Sequence, residues 1–190
     1  MEAHAGPTPM ALRRDALQAA LPLMQAVDRI ARAEAPHARS TVGWAQVFPN
    51  SRNTIPGRVS FTVDFRHTDD AGLARMDAAL RAVVAAAQDE GRMAISLEPV
   101  VYFPPAPFDP LLVSRVRDAA RRQGLSQRDI VSGAGHDAVY VARTAPAAMI
   151  FVPCKDGISH NEVEDADPAH LAAGCQVLLE AMLETAGRAA

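Results

Sequence analysis

Residues 58–66 alternate without interruption. Val59, Phe61, Val63 and Phe65 fall on one side, and Arg58, Ser60, Thr62, Asp64 and Arg66 on the other. A period of two sends successive side chains to opposite faces, so the segment predicts a half-buried antiparallel strand with Arg66 at its polar exit. Residues 40–48 (STVGWAQVF), rich in β-branched and aromatic side chains, predict a second strand. The turn formers of residues 49–57 lie between the two, and Pro56-Gly57 suits the central positions of a type II turn. Helical spacing of Leu12, Ala16, Ala19, Leu23, Val27 and Ile30 predicts a preceding helix over 11–35, with a kink or short break at Pro22. Asp69 or Asp70 caps a following helix that runs to about Gln88, with Leu73, Met76, Leu80, Val83 and Val84 inward and Gly91 as its terminator. Residues 94–102 predict a further strand. Helix, strand, strand, helix, strand is a small α+β layer structure that lacks a first strand.

The proline cluster of residues 104–107 predicts a stiff connector, dividing the chain into 1–103 and 104–190. Beyond it, Asp109 and Pro110 open an amphipathic helix that Gly124 stops. Ile130-Val131 predicts a short extended piece, and the apolar run 147–152 a buried parallel strand. Asp167-Pro168 starts the last helix, with Leu171, Cys175, Leu178, Leu179 and Met182 inward. Strands alternating with helices predict one edge of an α/β layer.

Composition narrows the partners. Lys and Arg number 19 against 22 Asp and Glu, so no basic excess exists to neutralise a nucleic-acid backbone. No apolar run approaches a membrane span, and residues 1–15 hold no signal-peptide apolar segment. Two cysteines, Cys154 and Cys175, make no disulfide framework and predict a reducing cytoplasm, with Cys154 a small near-buried thiol.

Among six histidines no HExxH, HxH or CxxC spacing occurs, so a self-contained zinc motif is absent. His136 follows Gly133-Ala134-Gly135, a backbone able to approach a ligand closely, and His160 follows Asp156-Gly157-Ile158-Ser159 beyond the expected strand 147–152. Each also reads as a loop histidine satisfied by backbone. Arg66 offers a planar fork for a carboxylate, or equally a salt bridge to Asp64. Asn53 could serve a ligand or simply a turn.

Four segments occur in order: HAGPTPMALRRDAL (4–17), PNSRNTIPGRVSFTVDFRH (49–67), SGAGHDA (132–138) and FVPCKDGISHN (151–161). Together they resemble the carbamoylase branch of the M20 metal-dependent amidohydrolases, which acts on N-carbamoyl-L-amino acids, ureidopropionate and allantoate. The resemblance covers nearly the whole chain. It implies a ferredoxin-like lid with two helices, followed by the C-terminal α/β part of a catalytic domain. It implies two divalent metals per complete site, zinc or manganese among them, activating a water for attack on a ureido or amide carbon. His160 matches the last metal ligand, and His136 a substrate-contacting histidine. His4 matches the lid histidine that polarises the scissile carbonyl, and Asn53 and Arg66 the lid residues that hold the substrate carboxylate. It also implies homodimerisation through the lid. Pro7, Thr68 and Cys154 depart from the commoner Thr, Pro and Ser. The remaining ligands of the family precede the lid, so His160 is expected to stand alone here and the 190 residues to be inactive by themselves. The alternatives are a non-catalytic dimerising remnant and an M20 aminoacylase or dipeptidase.

Overall fold

The carboxylate of Asp15 accepts hydrogen bonds from the backbone N–H groups of Leu17 and Gln18 (2.9 and 3.1 Å), and so opens helix α1, Ala16–Ala33. These observations come from a computed structural model that describes residues 1–90 and 93–187. The expected helix start at residue 11 gives way to a 3₁₀ turn at Met10–Leu12, which leaves Leu12 exposed. No break occurs at Pro22. The proline is exposed, and the one carbonyl it deprives of a donor, on exposed Gln18, can turn to water.

The expected hairpin forms as two ladders. Strand β2 (Arg39–Thr41) pairs with β6 (Asp64–Arg66), and β3 (Ala45–Phe48) with β5 (Arg58–Phe61), both antiparallel. Thr41 faces Asp64 and Ala45 faces Phe61, so three residues (42–44) oppose two (62–63). That is a one-residue bulge. On the uninterrupted strand, Val59, Phe61, Val63 and Phe65 all keep the half-buried side, as alternation requires. A third ladder joins β1 (Ala3–His4) to β4 (Thr54–Ile55). Gly57 does not take the positive φ of a type II turn. Its lack of a side chain matters instead because a Cβ there would sit 2.5 Å from the Glu2 carboxylate.

Helix α2, Asp70–Asp89, is capped by Asp69, whose carboxylate accepts from the Gly72 N–H at 2.7 Å. Gly91 lies outside the described residues. Leu23 and Val27 of α1 pack against Leu80 and Val84 of α2, with Phe61, Val63 and Phe65 beneath them. Met76, fully buried, meets Ala31 and Ala38; burial of such a side chain contributes roughly 1.5–3 kcal/mol. Residues 94–102 form no ladder, contrary to expectation. Ile95 and Leu97 nevertheless pack on this core. A strand needs a hydrogen-bonded neighbour, and no described residue supplies one.

The chain divides into two units, Met1–Pro105 and Ala106–Ala190. In the second, Asp109 caps α3, Pro110–Arg122, through the Leu112 N–H (2.8 Å), and Gly124 ends it at φ +68°. After a short α4, Asp137–Val141, the unit closes with α5, Pro168–Gly187. Ala119 and Ala120 of α3 meet Val177 of α5, with Ile150 against them. Arg122 pairs with Glu180 and Glu184 across the same seam.

Three expectations fail in this unit. Residues 130–131 and 147–152 form no strand, and among the latter only Ala147 is buried. Helix α5 turns Val177 and Ala181 inward, whereas Leu171, Cys175, Leu178, Leu179 and Met182 are exposed. Cys154 is exposed as well. Helix α5 has a cause of its own. It is apolar on more than one side, and the unit covers only the side of Val177 and Ala181. The described architecture is mixed α/β with small antiparallel ladders, not a parallel sheet.

Candidate functional site

Pairing of β1 with β4 lays residues 3–5 beside residues 53–55. His4 faces Thr54, and the Ala5 N–H donates to the Asn53 carbonyl at 2.7 Å. His4 and Asn53 are thereby brought together from the start and the middle of the first unit's sequence. The Gly6 N–H donates to His4 Nδ1 at 3.0 Å. A neutral imidazole that accepts at Nδ1 carries its proton on Nε2, and the residue is exposed. Asn53 is also exposed; its side-chain oxygen accepts from Ser51 Oγ at 3.2 Å, which leaves the amide NH₂ as a donor group.

Arg66 ends β6 on the polar face. Its Nε and Nη2 both reach Asp64 Oδ2, at 3.1 and 2.8 Å. That hydrogen bonding raises the guanidinium's hold on its proton. The salt-bridge alternative read from the sequence is thus realised. Both side chains are about half exposed, so an incoming carboxylate could displace Asp64 at little cost.

The residue after Arg66 escaped the sequence reading. The His67 side chain is only 4% exposed; Nδ1 accepts from the Asp69 N–H at 3.1 Å, and Nε2 lies 3.9 Å from Glu34 Oε2. Glu34 is in turn forked by Arg75 at 2.8 and 2.7 Å, which holds its carboxyl below the usual range. This buried ring pins the end of β6 to the start of α2, and so fixes where Arg66 begins. The sequence signal was Gly72, one turn into the helix, where a Cβ would overlap the ring.

In the second unit His136 is the residue before α4. It has extended φ/ψ, its side chain makes no capping bond, and its carbonyl accepts from the Val139 N–H at 3.0 Å. A Cβ on Gly133 or Gly135 would meet nothing within 4 Å. His160 has φ +57°, the left-handed region that a side chain seldom occupies. Its N–H donates to Glu164 Oε2 at 2.9 Å, and Nδ1 lies 3.3 Å from Ser159 Oγ. Asn161 braces the same loop, its Oδ1 accepting from the Val163 N–H at 3.1 Å. Among the described residues no three His, Cys, Asp or Glu side chains gather where they could hold a metal ion. His160 alone does not fit one. A shallow groove between α1 and α2, lined by Arg29, Ile30, Glu34, Arg75 and Met76, contains none of the expected site residues.

The family described as Peptidase family M20/M25/M40 matches residues 3–184. The chain belongs to this M20 family. An N-carbamoyl-L-amino-acid amidohydrolase from Rhizobium meliloti is 45% identical over 97% of the chain and 44% of its own length. An allantoate amidohydrolase from Escherichia coli (strain K12) is 37% identical over 92% of the chain and 43% of its own. An amidase of the hydantoinase/carbamoylase family from Burkholderia multivorans superposes with a TM-score of 0.91 at 59% identity, covering 97% of this chain and 45% of that one. The chain spans less than half the length of these M20 relatives. Within the described residues, no helix is long and apolar enough to cross a membrane.

Proposed function

We propose that this chain is the C-terminal portion of a hydrolase that cleaves the C–N bond of linear ureido acids, of the N-carbamoyl-amino-acid, ureidopropionate or allantoate type. The observation that carries the reading is the 45% identity to an N-carbamoyl-L-amino-acid amidohydrolase across 97% of the chain. Residues 1–103 act as a ferredoxin-like lid through which two copies associate. Residues 104–190 complete part of a catalytic domain. His4 donates its Nε2–H to the scissile carbonyl oxygen and stabilises the negative charge that develops there. Arg66 leaves Asp64 to fork the substrate carboxylate, Asn53 adds an amide donor, and His136 contacts the substrate from its glycine-flanked loop. His160 would offer one imidazole to a divalent metal, zinc or manganese, only together with ligands from outside these residues, and such a metal would supply an activated water. Exposed, unpaired Cys154 and Cys175 support a reducing compartment.

The surface supports incompleteness. The accessible area is 13,511 Å², whereas two separate compact units of these sizes would expose about 10,500 Å². The excess, on the order of 3,000 Å², exceeds one partner's share of a standard interface. Apolar Leu171, Leu178, Leu179 and Met182 contribute to it. The test joins the N-terminal portion of the Rhizobium meliloti relative ahead of residue 1 and measures hydrolysis of N-carbamoyl amino acids, ureidopropionate and allantoate with added metal. The fusion should turn over at least one of them, and the 190 residues alone none. A folded, dimeric fusion inert toward all three refutes the assignment; turnover by the chain alone refutes its incompleteness.

A further inference from the structure

We infer that Arg13 is a positioning residue that sets the orientation of His4. The inference rests on the proposed role of His4 and extends it to a side chain with no place in that reading. The segment 5–12 has few means of holding its own shape. Pro7 and Pro9 lack N–H groups, β1 ends at His4, and beyond it the regular bonding is the 3₁₀ turn at Met10–Leu12. The guanidinium of Arg13, half-buried, bridges the loop: Nη2 donates to the Ala5 carbonyl at 2.6 Å and Nε to the Thr8 carbonyl at 3.1 Å. Thr8 Oγ1 then donates to the His4 carbonyl at 2.7 Å, closing the ring. Both peptides flanking the histidine's turn are thus tied to one planar cation, and Ala5 also donates to Asn53. The fork itself is anchored, because Asp15 caps α1 two residues later and the Ala16 N–H bonds the Pro56 carbonyl at 2.9 Å. What the clamp secures is the Gly6 N–H to His4 Nδ1 bond, and with it the tautomer that carries its proton on Nε2. A lysine ammonium, a single point of charge, cannot reproduce two donors at a fixed spacing.

Two measurements test this. In the 190-residue chain, amide hydrogen exchange at Gly6 should quicken roughly tenfold in both Arg13→Gln and Arg13→Lys, one hydrogen bond's worth, while the capped Leu17 and Gln18 amides keep their rates. Unchanged Gly6 exchange with α1 intact overturns the inference. Loss of the fold in both variants also overturns it, since Arg13 would then be holding the core rather than the loop. In the fusion enzyme, Arg13→Gln should lower kcat about tenfold with KM nearly unmoved, and should have no further effect in a His4→Ala background. An equal loss in that background shows that Arg13 acts elsewhere. If the fusion hydrolyses no ureido substrate, the functional reading falls while the exchange measurement still decides the clamp.

Discussion

Gly72→Ala decides whether His67 is the pin described above. In an ordinary helix interior this change stabilises by about 1 kcal/mol, because alanine loses less backbone freedom and has the higher helix propensity. Here the added Cβ would lie 2.1 Å from His67 Nδ1 and 2.4 Å from Cγ. The second contact is at the base of the ring, so a rotation of its tip does not relieve the clash. The ring is 4% exposed and has no room to retreat. Overpacking of this kind costs about 1–3 kcal/mol, and the displaced ring also gives up the Asp69 N–H bond, about 1 kcal/mol more. Against the helix gain, the net expectation is a loss of about 1–3 kcal/mol. Urea unfolding should show a lower midpoint with an unchanged slope. The double variant Gly72→Ala, His67→Ala should recover part of the loss, since the two residues share one space. A stability gain in Gly72→Ala, the outcome of propensity acting alone, would refute the packing argument and with it the anchoring of Arg66.

Three further outcomes concern single side chains. His160→Gly should leave stability unchanged or raise it by up to about 1 kcal/mol, because glycine occupies positive φ without strain, while abolishing turnover in the fusion; a clear stability loss by calorimetry would show that the ring packs. Arg115, 8% exposed on α3, has an Nε with no hydrogen-bond partner among the described residues, so Arg115→Met should stabilise the second unit by about 1 kcal/mol, and a lower urea midpoint would contradict this. Glu34 is held below its ordinary 4.5 by its hydrogen bond to Arg75. The stabilisation from that pair is therefore present above pH 4.5 and fades as pH falls through the lower folded value. Thermal scans should find Arg75→Gln weaker than wild type at pH 7, with the gap narrowing as pH falls below 4.5; a constant difference would assign the effect to packing.

Local chemistry was readable wherever it was local. Asp69, Asp109 and Asp167 mark helix starts because a carboxylate two or three residues ahead of free N–H groups acts within one turn. Alternation over 58–66 named the buried face for the same reason. Residues 94–102 and 147–152 carry strand-like sequences, yet a ladder depends on a distant partner, and composition does not reveal whether one is present. Helix α5 buries a different face from the one its spacing predicts because Leu171, Val177, Leu178, Ala181, Met182 and Leu183 are spread around its axis, so periodicity selects no single face. The motif histidines could be found by their flanking glycines. The contacts that orient them could not: Arg13 acts on backbone carbonyls, which every residue possesses, and His67 shows only through a glycine five residues on.

The bulge at residues 42–44 also governs how this hairpin tolerates changes in length. Val42 and Val47 both point inward although five positions separate them, an odd interval that only the extra residue reconciles. Removing Gly43 would therefore leave a straight ladder with every apolar side chain still turned to the core. Removing Gln46, three positions along, would drive Val47 into water. A single codon lost from this strand is harmless or ruinous according to which side of Trp44 it falls.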